Sequence, residues 1–402
     1  MPTTTSTASA PLPQFPATRE NALHPPAVYA QLTADRPVAR SRYLDGRPVW
    51  VVTSYECARA ALADERFSAD STRPGFPMLG PSAAAPQVRT FTRMDPPEHH
   101  ELRKMVQGEF TTHRVEDMRL RVRELTHQLI DQMLERGRPA DFIREVALPL
   151  PSLIICDLLG VPYEDHDFFE QASRKGVSND PEEVREGMAV LMPYLGDLVS
   201  RQQAAPQDNL LGRLVTLSAQ TGRLTHDQIT RIARQVLTAG HETTANNLGL
   251  FVLSMLLEPE LRPVALRDAD SRRVAVEELL RFHSTVQIGV PRVATEDVEL
   301  GGETIAAGDG VIVCVSAANR DRLRFGEDAD RIDPTRDARA HVAFGFGIHQ
   351  CLGQNLARVE LQEAIDVIFD RLPDLRLAVP FEQLEFKTDR IVYGLIGLPV
   401  EW

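Results

Sequence analysis

The segment Ala343-Phe344-Gly345-Phe346-Gly347-Ile348-His349-Gln350-Cys351-Leu352-Gly353 decides how the rest of this 402-residue chain is read. Directly after it, Leu356, Glu360, Ala364 and Ile368 recur at helical spacing, so Cys351 stands just before a helix N-terminus. Unpaired backbone N–H groups and the positive end of the helix dipole favour a thiolate there. Gly345, Gly347 and Gly353 let the backbone pass close to something flat and bulky. Three readings follow from the segment alone: a thiolate metal ligand, a core cysteine in a glycine-rich turn, and a cysteine nucleophile activated by His349.

A second segment narrows these readings. Thr225-His226-Asp227-Gln228 has capping-box spacing, and the apolar pattern after it runs to Leu257 and stops at Pro259. The predicted helix of about 32 residues is roughly 48 Å long, enough to cross the molecule. At its middle lies Ala239-Gly240-His241-Glu242-Thr243-Thr244. A glycine inside a helix costs up to about 1 kcal/mol relative to alanine, and polar groups in a core-crossing helix cost more unless used. The alternative is a helix bend in which Thr243 and Thr244 bond back to upstream carbonyls while Glu242 is solvated.

Phe344, Gly347, Cys351 and Gly353 fit the pattern Phe-x-x-Gly-x-x-x-Cys-x-Gly, and the segment resembles the haem-binding signature of the cytochrome P-450 family. A thiolate cradled by glycines and N–H groups suits an axial haem ligand. The long helix resembles the family's Ala/Gly-Gly-x-Asp/Glu-Thr-Thr motif, in which an acid and an alcohol deliver protons to dioxygen. The resemblance gives those roles to Glu242 and Thr243. It implies haem b as cofactor, with Cys351 on the metal and Phe344, Gly345 and Gly353 shaping the loop.

Other segments match in the family's order. Asp95-Pro96-Pro97-Glu98 reads as a helix start with Asp95 as N-cap, and His99 and Arg103 then share a face. The resemblance makes His99, Arg103, Arg292 and His349 holders of the haem propionates, with His99 preferred over His100 on its spacing from the prolines. Glu278 and Arg281 form Glu-x-x-Arg at i, i+3, either a surface ion pair or, by resemblance, a buried pair joined by a third arginine. Arg331 is the best match for that partner, although Ile332 replaces the usual aromatic. These three are assigned to structural support.

Composition sets the outer bounds. There are 44 basic and 57 acidic residues, a net charge of −13, which disfavours phosphate-driven nucleic-acid binding. Four widely spaced cysteines, Cys57, Cys156, Cys314 and Cys351, read as reduced thiols in a cytoplasm. No apolar run is long enough to span a bilayer, and a monomer is expected. Residues 1–20, rich in Thr, Ser, Ala and Pro, read as a disordered lead, and residues 21–402 as one domain.

Val38–Tyr43, Asp45-Gly46 and Pro48–Val52 read as a hairpin, and residues 68–91 as a long functional loop. Helical periods dominate from Pro96 to Leu257 and recur at Ala275–Phe282 and Gln354–Arg371. Short strands are expected at Asp297–Leu300 and Val311–Val315, with a last extended segment at Lys387–Val400. The expected fold is mainly α (α+β); by resemblance, a helical prism with small sheets around a buried haem.

The resemblance implies monooxygenation of a hydrophobic small molecule, closest to actinobacterial enzymes that hydroxylate polyketides, peptides, sterol-like and vitamin-D-like compounds. Epoxidation or ring coupling, a haem sensor, and a haem-free thiol enzyme are the alternatives. No Gly-x-Gly-x-x-Gly opens a helix, so electrons are expected from a separate ferredoxin and its NAD(P)H-dependent reductase. Docking is expected on the cysteine side near Arg103, Lys104, Arg114 and Arg358. Substrate contacts are expected from residues 68–91, 168–195, 237–244, 286–290 and 391–395, including Leu237, Gly240, Gln287, Val290, Ile391 and Val392.

Overall fold

The computed structural model describes residues 12–77, 90–176 and 181–402. Helices dominate and strands are short, as the patterning requires. The 32-residue helix His226–Leu257 is the central column. Its start carries the expected capping box: the Thr225 hydroxyl accepts from the Gln228 amide, and the Gln228 side chain accepts from the Thr225 N–H. Helices Pro149–Leu159, Pro181–Ala204 and Gln354–Arg371 pack around it. The largest apolar cluster fills the space between these helices.

A five-stranded sheet lies beside this helical body, in the order Val38–Arg42, Pro48–Val52, Gly310–Val313, Val290–Ala294, Phe67–Ser68. The first two strands form the expected hairpin, with Pro48 at a strand start and Gly46 at φ +81° in the turn. Pro48–Val52 then runs parallel to Gly310–Val313, which pairs antiparallel with Val290–Ala294. Val290–Ala294 escapes sequence reading because Pro291 interrupts it. In that strand Val290 and Arg292 fall on one face.

Several expectations are corrected. The disordered lead does not extend to residue 20: Gln14 bridges to Arg42, and Phe15, only 1% exposed, packs on Tyr29 and Tyr43. One aromatic among small polar residues was enough to anchor the segment; residues 1–11 lie outside the described residues. Asp95 does not cap the helix Glu98–Val106, because its carboxylate accepts instead from Ser68 Oγ and the Ala69 amide. It ties the start of the 68–91 loop to the helix; residues 78–89 of that loop lie outside the described residues. Val315 opens a short helix, Val315–Ala318, rather than ending a strand. Lys387–Val400 holds only isolated bridges, Val286 to Val392 and Phe386 to Leu395, before a strand at Pro399–Glu401.

Candidate active site

The cysteine loop is a series of tight turns. Gly345 N–H donates to Val342 O, Gln350 N–H to Gly347 O and Cys351 N–H to Phe344 O. Gly347 has φ +73°, and a Cβ there would stand 2.5 Å from the carbonyl oxygen of Leu62. Only glycine fits between the loop and the helix Tyr55–Ala63. The helix Gln354–Arg371 begins at once after the loop, with Gly353 at its N-cap.

Cys351 and Thr243 line the same cavity, of about 350 Å³. The cysteine's accessible surface opens into this space rather than to bulk water. Burial raises its thiol pKa, while the Gly353 amide, Arg103 and Arg358 pull the other way. A cation at the sulfur would favour the thiolate against that burial.

Helix periodicity sets the opposite wall. Gln235, Val236, Ala239, Gly240, Thr243, Thr244 and Asn247 project into the cavity at three- and four-residue intervals. Gly240 lies where a Cβ would stand 2.7 Å from Ile155 Cδ1. The Thr243 hydroxyl donates to Ala239 O at 2.8 Å, leaving its lone pairs toward the cavity. Glu242 falls off this face. Its carboxylate lies 3.5 Å from the Lys387 ammonium, which also donates to Asn246 Oδ1 at 2.8 Å.

One end of the cavity is built for anions. Arg103, Arg292 and His349 line it, and the His99 ring lies 4.1 Å from the His349 ring, centroid to centroid. Both His99 ring nitrogens and His349 Nδ1 are buried without a hydrogen-bond partner. Burial, with the neighbouring positive charges, lowers His99 to about 4 and His349 to about 3. Arg292, on the strand Val290–Ala294, is lowered by burial and by Arg93 to about 10. Its guanidinium donates to Pro291 O, and Arg103 donates to Gln350 O at 2.7 Å. Unsatisfied buried donors and crowded cations are costly by themselves and are relieved by carboxylates. A metal site on the sulfur and carboxylates at this end are what the residues present would accommodate.

The supporting pair is buried as the resemblance implied. Glu278 and Arg281 are 0% exposed, paired at 2.7 and 2.8 Å, and Arg281 also donates to Asn319 O, Ala329 O and Arg331 O. Every guanidinium donor direction is used, which is what makes a buried charge tolerable. The third arginine is corrected: Arg331 contributes only its carbonyl, and the guanidinium on Glu278 is that of Arg336, at 3.2 Å. The turn at Asp333-Pro334, with the Asp333 amide on Glu278 Oε1, swings the chain so that Arg336 points inward.

The pocket residues divide. Gly240 and Val290 line the cavity. Leu237 does not; it is buried in the main apolar cluster. Gln287 does not, because its amide donates to the carbonyls of Lys387, Thr388 and Arg390. Val392 is buried against Val286 by a bridge, and Ile391 is 47% exposed; neither lines the described cavity. Arg358 is not a free docking charge: it makes a two-pronged pair with Glu277 and stacks on the Phe344 ring at 4.6 Å. Sequence reading missed Gln235, Asn247, Thr285, Glu360 and Lys387. The first two were accessible by extending the spacing of Ala239 and Thr243 along the helix, whereas Lys387 carried no local signal.

Comparison with known proteins agrees with this geometry. The sequence pattern of the family described as Cytochrome P450 matches residues 273–372. The chain is 48% identical over 372 residues to Cytochrome P450-SU2 of Streptomyces griseolus, covering 91% of each. It is 43% identical over 406 residues to the Vitamin D3 dihydroxylase of Streptomyces griseolus, covering 99% of this chain and 100% of that one. Its structure is similar to the crystal structure of cytochrome P450 MoxA from Nonomuraea recticatena, with a TM-score of 0.93, 44% identity, and 97% and 98% of the two chains covered. With a cysteine and a threonine facing each other across a cavity that has a cationic end, this chain belongs to the cytochrome P450 family and is a haem-thiolate monooxygenase.

Proposed function

We propose that Cys351 would bind the haem iron through its sulfur and that His99, Arg103, Arg292 and His349 would hold its propionates. Phe344, Gly345 and Gly353 form the loop against which it rests. The unpartnered ring nitrogens, both of His99 and Nδ1 of His349, carry this assignment, since buried polar groups in folded proteins are as a rule hydrogen-bonded. When bound, a thiolate-ligated haem supplies the reduction of dioxygen and the transfer of one of its atoms to a substrate.

The protein's own groups do the rest. Cys351, once deprotonated, supplies negative charge through a sulfur held by the Gly353 amide. Thr243 presents a hydroxyl to the cavity and Glu242 is its acid partner, so a proton can be passed at the Thr243 oxygen without opening the site to bulk water. The remaining wall, from Leu62, Phe91, Ile155, Val236, Val286 and Val290, is apolar and selects a hydrophobic small molecule. The name of one relative, Vitamin D3 dihydroxylase, supports a sterol-like compound and hydroxylation.

Electrons come from a ferredoxin and its NAD(P)H-dependent reductase, docked on the cysteine side where Lys104 is exposed and Arg114 lies 3.7 Å from Glu109. The chain from Gln14 onward acts as one catalytic unit, monomeric and cytoplasmic. The four free cysteines support a reducing compartment, and among the described residues no helix is long and apolar enough to cross a membrane.

The test is a screen of hydrophobic compounds by absorption shift, followed by turnover with a plant ferredoxin and reductase under labelled dioxygen. A product carrying one labelled oxygen atom is expected. Products without label would overturn the monooxygenase assignment for those compounds' sites.

A further inference from the structure

We infer that Lys387 is the positioning residue of the acid–alcohol pair: from outside the cavity it holds the Glu242 carboxylate and so controls proton transfer to Thr243. The inference rests on the reading of Glu242 and Thr243 given above.

The observations are geometric. Lys387 lies 145 positions from Glu242 in sequence, yet its ammonium reaches Glu242 Oε1 at 3.5 Å and Asn246 Oδ1 at 2.8 Å. The Lys387 and Glu242 side chains are 9% and 14% exposed. A lysine so buried is unusual unless it is paired. Glu242 and Asn246 are one helical turn apart, and neither lines the cavity that Thr243 lines. The Asn246 amide donates to Glu242 O at 2.9 Å, fixing which oxygen faces the lysine.

Lys387 is itself locked. Its N–H donates to Gly394 O at 2.8 Å, and its carbonyl accepts from the Gln287 side chain at 3.0 Å. Gly394 is required: a Cβ there would stand 2.0 Å from Asn246 Oδ1. The segment at 387–394 is thus pressed against the helix turn that bears the acid. The charged groups acting on Lys387 are Glu242, which favours the ammonium, and Arg390, which opposes it; burial lowers its pKa. A carboxylate held by a fixed ammonium is oriented, which a solvated Glu242 would not be.

The test needs no identified substrate. Oxygen consumption by the holoprotein is driven by NADPH through saturating spinach ferredoxin and reductase, in light and heavy water and across neutral and mildly alkaline pH. Lys387→Met should slow it about tenfold, raise the solvent isotope effect and change the pH profile, while Lys387→Arg restores the wild-type behaviour. Glu242→Gln should match Lys387→Met, and the double variant should be no slower than either. If Lys387→Met does not yield folded holoprotein, Lys387→Gln with Lys387→Arg reads the same three quantities. A Glu242→Gln effect with unchanged rate, isotope effect and pH profile in the Lys387 variants would overturn this inference alone. An unaltered Glu242→Gln protein would overturn the role of the acid, and the inference with it.

Discussion

The two walls of the cavity are made differently. The cysteine wall is one continuous stretch, residues 343–360, whose turns, glycines and following helix are all local. The facing wall combines a face of the long helix with side chains from Phe91, Thr92, Ile155, Thr285 and Val286, and the acid behind it is held by Lys387. The first wall holds a fixed group and can be built once, from sequence neighbours. The second draws its side chains from segments far apart in sequence.

This contrast can be broken most severely at its foundation. Glu278→Ala leaves Arg281 charged and buried with only carbonyl partners, which should cost about 3–5 kcal/mol and abolish or greatly reduce folded holoprotein. Thermal unfolding and haem content measure it. Survival with wild-type stability would mean that the cysteine wall does not depend on the buried pair.

Glu360, at the end of the same wall, tests burial directly. Its Oε2 has no partner, and burial alone raises its pKa to about 8. A carboxyl raised in the folded state contributes stability that is complete below its unfolded value near 4.5 and is lost as pH rises through 8. Glu360→Gln should therefore flatten the pH dependence of the melting temperature, with its advantage over the wild type growing from mildly acidic to alkaline pH. Parallel curves for the two proteins would show that Glu360 is ionised in the fold.

On the facing wall, Thr243→Ala should leave haem content unchanged and lower product formed per NADPH about tenfold, equivalent to about 1.4 kcal/mol in the partition. Peroxide assay against product yield reads it, and unchanged coupling would remove the hydroxyl from proton transfer. The smallest effect belongs to Gly240→Ala. Its new methyl displaces only the mobile end of Ile155 while gaining helix propensity, so stability should stay within about 1 kcal/mol. The set of compounds that shift the spectrum should narrow instead.

The same division explains what the sequence disclosed. The capping box at Thr225, the hairpin turn at Gly46 and the glycine–cysteine loop are short-range patterns whose physics acts over a few residues, and they were legible. Arg331 was chosen over Arg336 because sequence spacing does not show how the turn at Asp333-Pro334 redirects a side chain. Asp95 read as a cap, but a hydroxyl and an amide 27 and 26 residues away compete for its carboxylate. Leu237, Gln287, Ile391 and Val392 were placed at the cavity from neighbourhood alone. Packing in the main apolar cluster takes up Leu237, the backbone carbonyls of the 387–390 segment claim Gln287, and the bridge at Val392 leaves Ile391 facing outward. Lys387 illustrates the limit best: its role exists only through a contact that the fold creates.

The central claim is that Cys351 binds the haem of this cavity as a thiolate. The most direct measurement is the absorption spectrum of the purified protein, reduced and exposed to carbon monoxide, beside that of Cys351→His. The account predicts a strongly red-shifted Soret band in the wild type and an unshifted one in the variant. A wild-type spectrum without that band after haem has been supplied during expression, or a variant that keeps it, would contradict the assignment.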